Sequence, residues 1–131
     1  MDSNDILHRE LFDNGVLRLT LNDQKRRNAL SEAMLLNLSR VLSEAVTNAD
    51  VRVIVLAAEG PAFCAGHDLK EITAARTAPD GGQGYFKQLF DTCASVMQLI
   101  VHSPKPVIAE VAGVATAAGC QLVASCDLAL A

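Results

Sequence analysis

The sequence VATAAGCQLVASCD, residues 114 to 127, consists almost wholly of small side chains and carries one amide, Gln121, near its middle. It follows the β-branched run VIAEV at residues 107 to 111 and precedes the apolar LALA at residues 128 to 131. This order predicts a strand, a turn into a helix, and a further strand. The small residues indicate either close packing of helix on strand or a place where backbone meets a ligand.

The composition is that of a folded protein with one domain or part of one. Of its 131 residues, 50% are apolar and 20% are charged, which excludes a disordered chain. The formal charge of −4 gives no electrostatic reason to expect nucleic acid. The apolar runs are interrupted well before the about 20 residues that a membrane span needs, so we expect no membrane partner.

The two ends of the sequence lead to two expectations. The opening residues, MDSNDILHRE, contain acids and no basic apolar leader, which predicts neither a secretory signal nor a transit peptide. We therefore expect a cytoplasmic protein. The apolar run at the other end has no polar tail, and we expect the natural domain to continue beyond Ala131.

The four cysteines, Cys64, Cys93, Cys120 and Cys126, lie in apolar segments without CxxC spacing. This pattern predicts buried free thiols in a reducing compartment rather than disulfides. We expect Cys120 and Cys126 to be small buried fillers and not nucleophiles, because no basic partner is near them in sequence. Cys64 and His67 are the nearest approach to a metal pattern, but structural zinc needs four ligands, so no metal is predicted.

Two patterns before residue 50 predict a hairpin and a helix. The turn signal DNG at residues 13 to 15 separates residues 6 to 12 from the alternating residues 16 to 21, which is typical of a β-hairpin. Ser31 is a good helix N-cap, and apolar residues follow it at helical spacing through about Ala49.

The middle of the chain continues the alternation of strand and helix. Residues 51 to 58, VRVIVLAA, predict a strand covered on both faces, and residues 59 to 66 interrupt it with glycines and a proline. A short helix is predicted near Asp68, a flexible linker at residues 77 to 84, and a second amphipathic helix over residues 86 to 101. The fold class is therefore α/β with a mainly parallel sheet.

In such folds, ligands bind at the carboxyl ends of the strands, and two strand-to-helix junctions, residues 57 to 69 and 112 to 120, meet that description. Both are rich in Gly and Ala, so their backbone amides can point at a phosphate or at an oxyanion. Two amides on one oxygen would form an oxyanion hole. From the pattern alone, close packing of helix on strand is favoured over a ligand site, and neither GxxxxGK[ST] nor GxGxxG is present to indicate a nucleotide.

Three stretches, RRNALS at residues 26 to 31, AEGPAFCAGHDLKE at 58 to 71 and residues 105 to 131, together resemble the enoyl-CoA hydratase/isomerase (crotonase) superfamily. Within it, the nearest likeness is the branch called enoyl-CoA hydratase domain-containing protein 3. The resemblance implies a ClpP/crotonase spiral of β-β-α units, of which residues 1 to 131 are the amino-terminal half, without the carboxyl-terminal half and the helical trimerisation tail.

The same resemblance implies a ligand and an assembly. The ligand is an acyl-CoA thioester of the kind used in fatty acid metabolism, with coenzyme A as part of the substrate and no separate cofactor. The assembly is a homotrimer or hexamer.

The resemblance also implies the residues of the site. The backbone amides of His67 and Ala118 would hold the thioester oxygen, although glycine is common in the family at position 118. The other residues that it places at the substrate are Lys25, Arg26 and Arg27, near the phosphates, and Ala65, Gly66, Asp68, Leu69, Lys70 and Gly119.

Gln121 departs from the family pattern, because hydratases carry a glutamate three residues after the second amide. An amide cannot exchange a proton near neutral pH, so ordinary hydratase chemistry is in doubt. A further carboxylate after Ala131 would leave isomerase, decarboxylase or hydrolase chemistry open. Without it, the chain would be a non-catalytic CoA-ester binding protein.

Several other side chains have alternative readings. The His67 imidazole could bond the ligand, whereas Asp68 is expected to cap a helix and Glu110 to serve packing or subunit contacts. A serine peptidase is the third hypothesis, since the Clp protease family shares the spiral fold, but Ser125 lacks a GxSxG setting.

Overall fold

The computed structural model describes residues 6–131, which form seven strands, four α-helices and a 3-10 turn. The first half contains β1 (Leu7–Leu11), β2 (Val16–Leu21), the turn Gln24–Arg26, α1 (Glu32–Thr47), β3 (Val53–Ala58) and β4 (Ala62–Cys64). The second half contains α2 (Leu69–Ala75), α3 (Gln83–Val101), β5 (Val107–Glu110), β6 (Val114–Ala115), α4 (Ala118–Ser125) and β7 (Leu128–Leu130).

The larger sheet has five strands in the order β1-β2-β3-β5-β7, and its only antiparallel pair is the β1–β2 hairpin. Leu19 lies opposite Leu56, and Leu56 lies opposite Ala109, so each of these buried residues packs beside the next across the sheet. The predicted hairpin and mainly parallel sheet are confirmed. The apolar faces of α1 and α3 complete the core with Met34, Leu35, Leu38, Leu42 and Ile100.

Two β-β-α units follow the hairpin and α1, and they stack on each other. The first unit is β3, β4 and the helices α2 and α3, and the second is β5, β6 and α4. Their first strands pair in parallel within the large sheet, and their second strands, β4 and β6, pair in parallel as a separate sheet of two. This repeated step is the spiral of β-β-α units that the sequence predicted.

The small residues around position 114 allow the second unit to lie against the first. A Cβ added to Gly113 would collide with the carbonyl of Pro61, and one added to Gly119 would collide with the carbonyl of Cys64. Thr116 N donates to the same Cys64 oxygen at 3.1 Å. Close packing therefore accounts for both glycines.

The structure corrects several predicted boundaries. β4 and β6 were missed, because strands of three and two residues beside glycine and proline carry no periodic pattern. β3 begins at Val53 rather than at residue 51, and its outward residues Val53 and Val55 are half-buried rather than fully covered. α1 ends at Thr47, about two residues early, and α3 begins at Gln83, inside the predicted linker.

The predicted helix caps are confirmed. Ser31 Oγ accepts from Met34 N at 3.1 Å, and Asp68 Oδ1 accepts from Lys70 N at 3.0 Å. No helix within residues 6–131 is long and apolar enough to cross a membrane.

Asn28 fixes the loop of residues 22–30 to the start of β4. It is buried, and its side-chain nitrogen donates to Glu59 O at 2.9 Å and to Ala62 O at 2.8 Å, while its oxygen accepts from Asp23 N at 2.7 Å. Its φ of 54° lies in the left-handed region, which asparagine tolerates better than most residues. One side chain thus satisfies three backbone groups of two separate segments.

We predict that Asn28→Ala lowers the free energy of unfolding by about 2 to 3 kcal/mol, because buried backbone groups lose their partners. Urea denaturation measures the change. Asn14→Ala is the matched control, since Asn14 makes a single bond to Val16 N in an exposed turn, and it should cost less than about 1 kcal/mol. Equal losses in the two variants would contradict the role of Asn28.

Candidate functional site

The two predicted amide turns lie directly against each other. Gly66, in the turn before α2, has a φ of +88°, and a Cβ built on it would lie 3.0 Å from Ala117 Cβ and 3.2 Å from Ala118 N. It would also lie 3.3 Å from Thr116 O. The turn that carries His67 therefore contacts the first turn of α4, although about fifty residues separate the two in sequence.

The amides of these turns are available to a ligand. Within residues 6–131, the backbone hydrogen bonds outside regular elements include none donated by His67 N or Ala118 N. The next amides of α4, at residues 119 to 121, donate to the carbonyls of Thr116 and Ala117. Ala118 is thus the amide left at the positive end of the α4 dipole, where an anionic oxygen is stabilised.

Ala117 holds the second turn in a strained conformation. Its φ of 53° and ψ of −126°, with the bond from Gly119 N to Thr116 O at 2.9 Å, describe the first central position of a type II′ turn, which glycine usually occupies. Such a residue stores about 1 to 3 kcal/mol of strain. Because the ψ of Ala117 sets the direction of the following N–H, this strain fixes where the Ala118 amide points.

The turn that carries Gly66 and His67 is held by the loop of residues 22–30, which we call the basic loop because it contains Lys25, Arg26 and Arg27. Leu30 N donates to Gly66 O at 2.6 Å, and Ala65 N donates to Arg27 O at 3.1 Å. Leu30 and His67 form an isolated parallel bridge. The His67 peptide therefore lies in a short ladder and not in a free loop.

The His67 side chain is half-buried and packs on α3. Its ring meets the ring of Phe90 edge-on, with 5.4 Å between centroids. Burial lowers the pKa of the imidazole below its ordinary value, against an opposing effect of the Leu30 backbone, so the ring is neutral at pH 7. Its Nδ1 atom is buried without a hydrogen-bond partner.

The residues predicted to meet the substrate come together as one open groove. Its lining consists of Lys25, Arg26, Arg27, Ala29, Ala65, His67, Asp68, Leu69 and Lys70. Gly66 and Gly119 were also predicted to meet the substrate, but they are buried and do not line the groove. Their small size permits the close contact of the two turns. Ala29 and Phe90 were not predicted as site residues. Phe90 matched the apolar stripe of a helix but is 52% exposed beside His67.

The cations of the groove differ in their surroundings. Lys25, Arg27 and Lys70 are exposed, and their charges face solvent. Arg26 instead pairs with two buried carboxylates, with its Nη1 3.4 Å from Asp23 Oδ1 and its Nε 3.3 Å from Asp68 Oδ2. The placement of Lys25, Arg26 and Arg27 near the phosphates stays a prediction, and within residues 6–131 Arg26 is distinguished by its pairing with these two carboxylates.

Gln121 is exposed on the first turn of α4, three residues after Ala118. One helical turn places its side chain on the same side of the helix as the Ala118 amide. Ser125, the residue weighed as a nucleophile, donates its hydroxyl to Gln121 O at 2.8 Å and lies 3.5 Å from the Met97 sulfur. Those partners cannot remove its proton, so the geometry gives no support to a serine peptidase.

Two of the four thiols, those of Cys64 and Cys93, match the expected burial, and Cys126 is half-buried. Burial raises the pKa of Cys64 to about 11, and burial together with Asp127 raises the pKa of Cys126 to about 11. Cys93 is also buried. Cys120 is exposed, contrary to prediction, because α4 packs through Gly119 and Leu122 and turns Cys120 outward.

Glu110 is paired with a side chain of another strand. Glu110 is exposed at the end of β5 and forms an ion pair with Arg18 of β2 at 2.5 Å, so it does not serve packing within this chain. Among residues 6–131, no three His, Cys, Asp or Glu side chains are grouped closely enough to hold a metal ion.

Comparison with known proteins identifies one family. The family model for enoyl-CoA hydratase/isomerase matches residues 11–131. Enoyl-CoA hydratase domain-containing protein 3, mitochondrial, from Rattus norvegicus is 52% identical over 118 residues, which are 89% of this chain and 37% of that protein.

Solved structures give the same result. An enoyl-CoA hydratase from Mycobacterium smegmatis has a TM-score of 0.87 and 51% identity over 95% of this chain and 46% of that one. Human enoyl coenzyme A hydratase domain-containing protein 3 has a TM-score of 0.84 and 44% identity over 95% of this chain and 47% of that one. The crotonase-like α/β fold and the resemblance to this branch are confirmed.

The matches also bear on the length of this chain relative to similar proteins and on its expected location. The chain spans less than half the length of the curated relative and of both solved chains. The expected cytoplasmic location is wrong, because the rat relative is named as mitochondrial. That expectation depended on the composition of the first ten residues. The mitochondrial location in the name of a relative that is 52% identical outweighs it.

We predict that Gly66→Ala lowers the free energy of unfolding by about 2 to 4 kcal/mol, since it adds both backbone strain and a collision with the α4 turn. Gly81→Ala is the matched control. Gly81 also has a positive φ, of +70°, but a Cβ there meets nothing within 4 Å. It should cost only the about 1 to 2 kcal/mol of backbone strain. Chemical denaturation of both variants tests the contact, and a Gly66 variant no less stable than the Gly81 variant would contradict it.

Proposed function

This chain belongs to the enoyl-CoA hydratase/isomerase family, and we propose that it is an acyl-CoA-binding enzyme that holds the thioester oxygen between the amides of His67 and Ala118. The reaction would pass through an enolate or a tetrahedral oxyanion. Both species carry negative charge on the same oxygen, so one pair of donors serves either.

The observation that carries this proposal is the contact between two turns whose amides, His67 N and Ala118 N, have no backbone acceptor among residues 6–131. A Cβ built on Gly66 in one turn would lie 3.2 Å from Ala118 N in the other. Two donors fixed in advance need no reorganisation as charge develops, and the loss of one such donor typically costs about 2.7 to 4 kcal/mol of barrier. Strain at Ala117 supports the same role, because it aims one of the two donors.

The groove next to these turns suits the other end of the ligand. Coenzyme A carries several phosphate charges, whereas the chain has a net charge of −4. A local cluster of cations is then needed to attract a polyanion. The exposed Lys25, Arg27 and Lys70 form such a cluster beside the amide of His67.

The chemistry next to the oxygen depends on Gln121. A carboxamide can donate a hydrogen bond to the ligand but cannot take up or deliver a proton at neutral pH. General acid–base assistance of that kind typically contributes about 10² to 10⁴ in rate. Simple hydration by this side chain is therefore disfavoured, and isomerase or lyase chemistry that draws its proton transfer from another group is the form of the enzyme that we propose.

The second candidate is a non-catalytic CoA-ester binding protein, and the uncharged Gln121 is the observation that favours it. The amides would still bind the thioester oxygen, because they need no proton transfer to do so. The two candidates differ only in whether the bound ester is converted.

We predict that the protein binds crotonyl-CoA in calorimetry and converts at least one member of a panel of acyl-CoA thioesters, as followed by absorbance and release of free thiol. Binding without conversion of any thioester would leave only the non-catalytic candidate. If neither crotonyl-CoA nor free coenzyme A binds, the proposed function is wrong altogether.

We also predict that Gln121→Glu raises the rate of crotonyl-CoA hydration, by up to about 10²-fold, since it restores a proton-exchanging group one helical turn from the Ala118 amide. Gln98→Glu is the matched control, because it adds the same charge at an exposed position of α3 away from the groove. An unchanged rate in a folded Gln121 variant would mean either that this side chain does not face the substrate or that the partner acid of a hydratase is lacking.

A further inference from the structure

The Arg26 side chain bridges two carboxylates that come from different parts of the chain. Its Nη1 lies 3.4 Å from both oxygens of Asp23, and its Nε lies 3.3 Å from Asp68 Oδ2. Both aspartates are only 7% exposed, whereas the Arg26 side chain is about half exposed. A buried carboxylate that loses its counter-charge is costly, so this bridge matters more than a pair in which both partners face water.

Each aspartate is itself fixed to a backbone segment. Asp23 begins the basic loop, and its N–H donates to the side chain of Asn28. Asp68 directly follows His67 and caps α2 through Lys70 N. Arg26 thus joins the basic loop to the residue next to the first oxyanion amide.

The backbone bonds of the same two segments run in parallel with this bridge. Ala65 N donates to Arg27 O, and Leu30 N donates to Gly66 O. The side-chain bridge adds a connection between the same two segments, and both Arg26 and Asp68 line the groove. If the bridge is removed, these backbone bonds of the Leu30–His67 ladder still join the loop to the turn before His67.

We propose that Arg26 is a positioning residue, which fixes the direction of the His67 amide through Asp23 and Asp68 and does not serve as a phosphate contact. The inference depends on the proposed function, since it gives Arg26 a part in holding the thioester oxygen. Within residues 6–131, Lys25, Arg27 and Lys70 make no comparable bridge, so they are left to attract the phosphates.

The substitution Arg26→Lys separates the two roles. It keeps the positive charge that a phosphate would meet, but one ammonium group cannot reproduce a fork in which separate nitrogens reach separate carboxylates. Arg27→Ala is the complementary variant, because it removes a groove charge and leaves the backbone carbonyl that Ala65 uses. Lys87→Ala, at an exposed position of α3, controls for the loss of one cation outside the groove.

The experiment compares the affinity for crotonyl-CoA with that for free coenzyme A, which has no thioester oxygen, by calorimetry on each variant. For Arg26→Lys, we expect the preference for the thioester to fall by about tenfold or more while the affinity for free coenzyme A stays within about threefold. For Arg27→Ala, the affinities for crotonyl-CoA and for free coenzyme A should fall by the same factor, so that the preference for the thioester is unchanged. Lys87→Ala should change neither affinity. Asp68→Asn keeps a capping oxygen and loses the charge, so it should repeat the Arg26→Lys result.

A second readout needs no ligand. Amide hydrogen exchange at Ala65 and Leu30 should become about tenfold faster or more in Arg26→Lys and stay unchanged in Arg27→Ala. The inference is overturned if Arg26→Lys keeps the thioester preference, or if its exchange rates match those of the unsubstituted chain. Failure of the unsubstituted chain to bind either compound would refute the proposed function, and the exchange result alone would then decide whether the bridge fixes the turn.

Discussion

The contact between the second β-β-α unit and the first governs the rest of this structure. Thr116 N bonds to the carbonyl of Cys64, and Gly119 lies so close to that carbonyl that no side chain fits between them. This contact pairs β6 with β4 and sets the start of α4 beside Gly66. A larger residue at position 119 would push α4 away, and the two amide turns would separate together with the small sheet.

Packing and the candidate site therefore use the same residues for different purposes. Glycine is required at positions 66 and 119 because two backbone segments pack closely there. The same packing brings together the amides of His67 and Ala118, which have no backbone acceptor within residues 6–131. The strain at Ala117 fits this view, because the surrounding structure forces an alanine into a conformation that suits glycine. The fold thus tolerates a destabilising conformation at Ala117, the residue that sets the direction of the Ala118 N–H.

The charged side chains of the groove fall into two groups, those held in ion pairs and those that face solvent. Arg26 compensates Asp23 and Asp68, which are buried, whereas the exposed cations beside it project toward solvent. The His67 ring is neutral and rests on Phe90, and Gln121 is uncharged. Under the proposed function, the exposed cations would attract the polyanion, and the two backbone amides would hold the thioester oxygen.

The sequence by itself determined the elements whose signals are local. Period-two and period-3.6 patterns gave the hairpin, α1, β3, α3 and β5, and the motifs around His67 and Ala118 gave the family and the residues of the groove. Only the tertiary structure decided what depends on contacts between distant segments. Pairing of β4 with β6, burial of Gly66 and Gly119, exposure of Cys120, and the engagement of Arg26 by two aspartates are of this kind. The physical reason is that a periodic pattern reports which face of an element is apolar, whereas a close backbone contact or a bridging ion pair exists only once the chain has brought separate segments together.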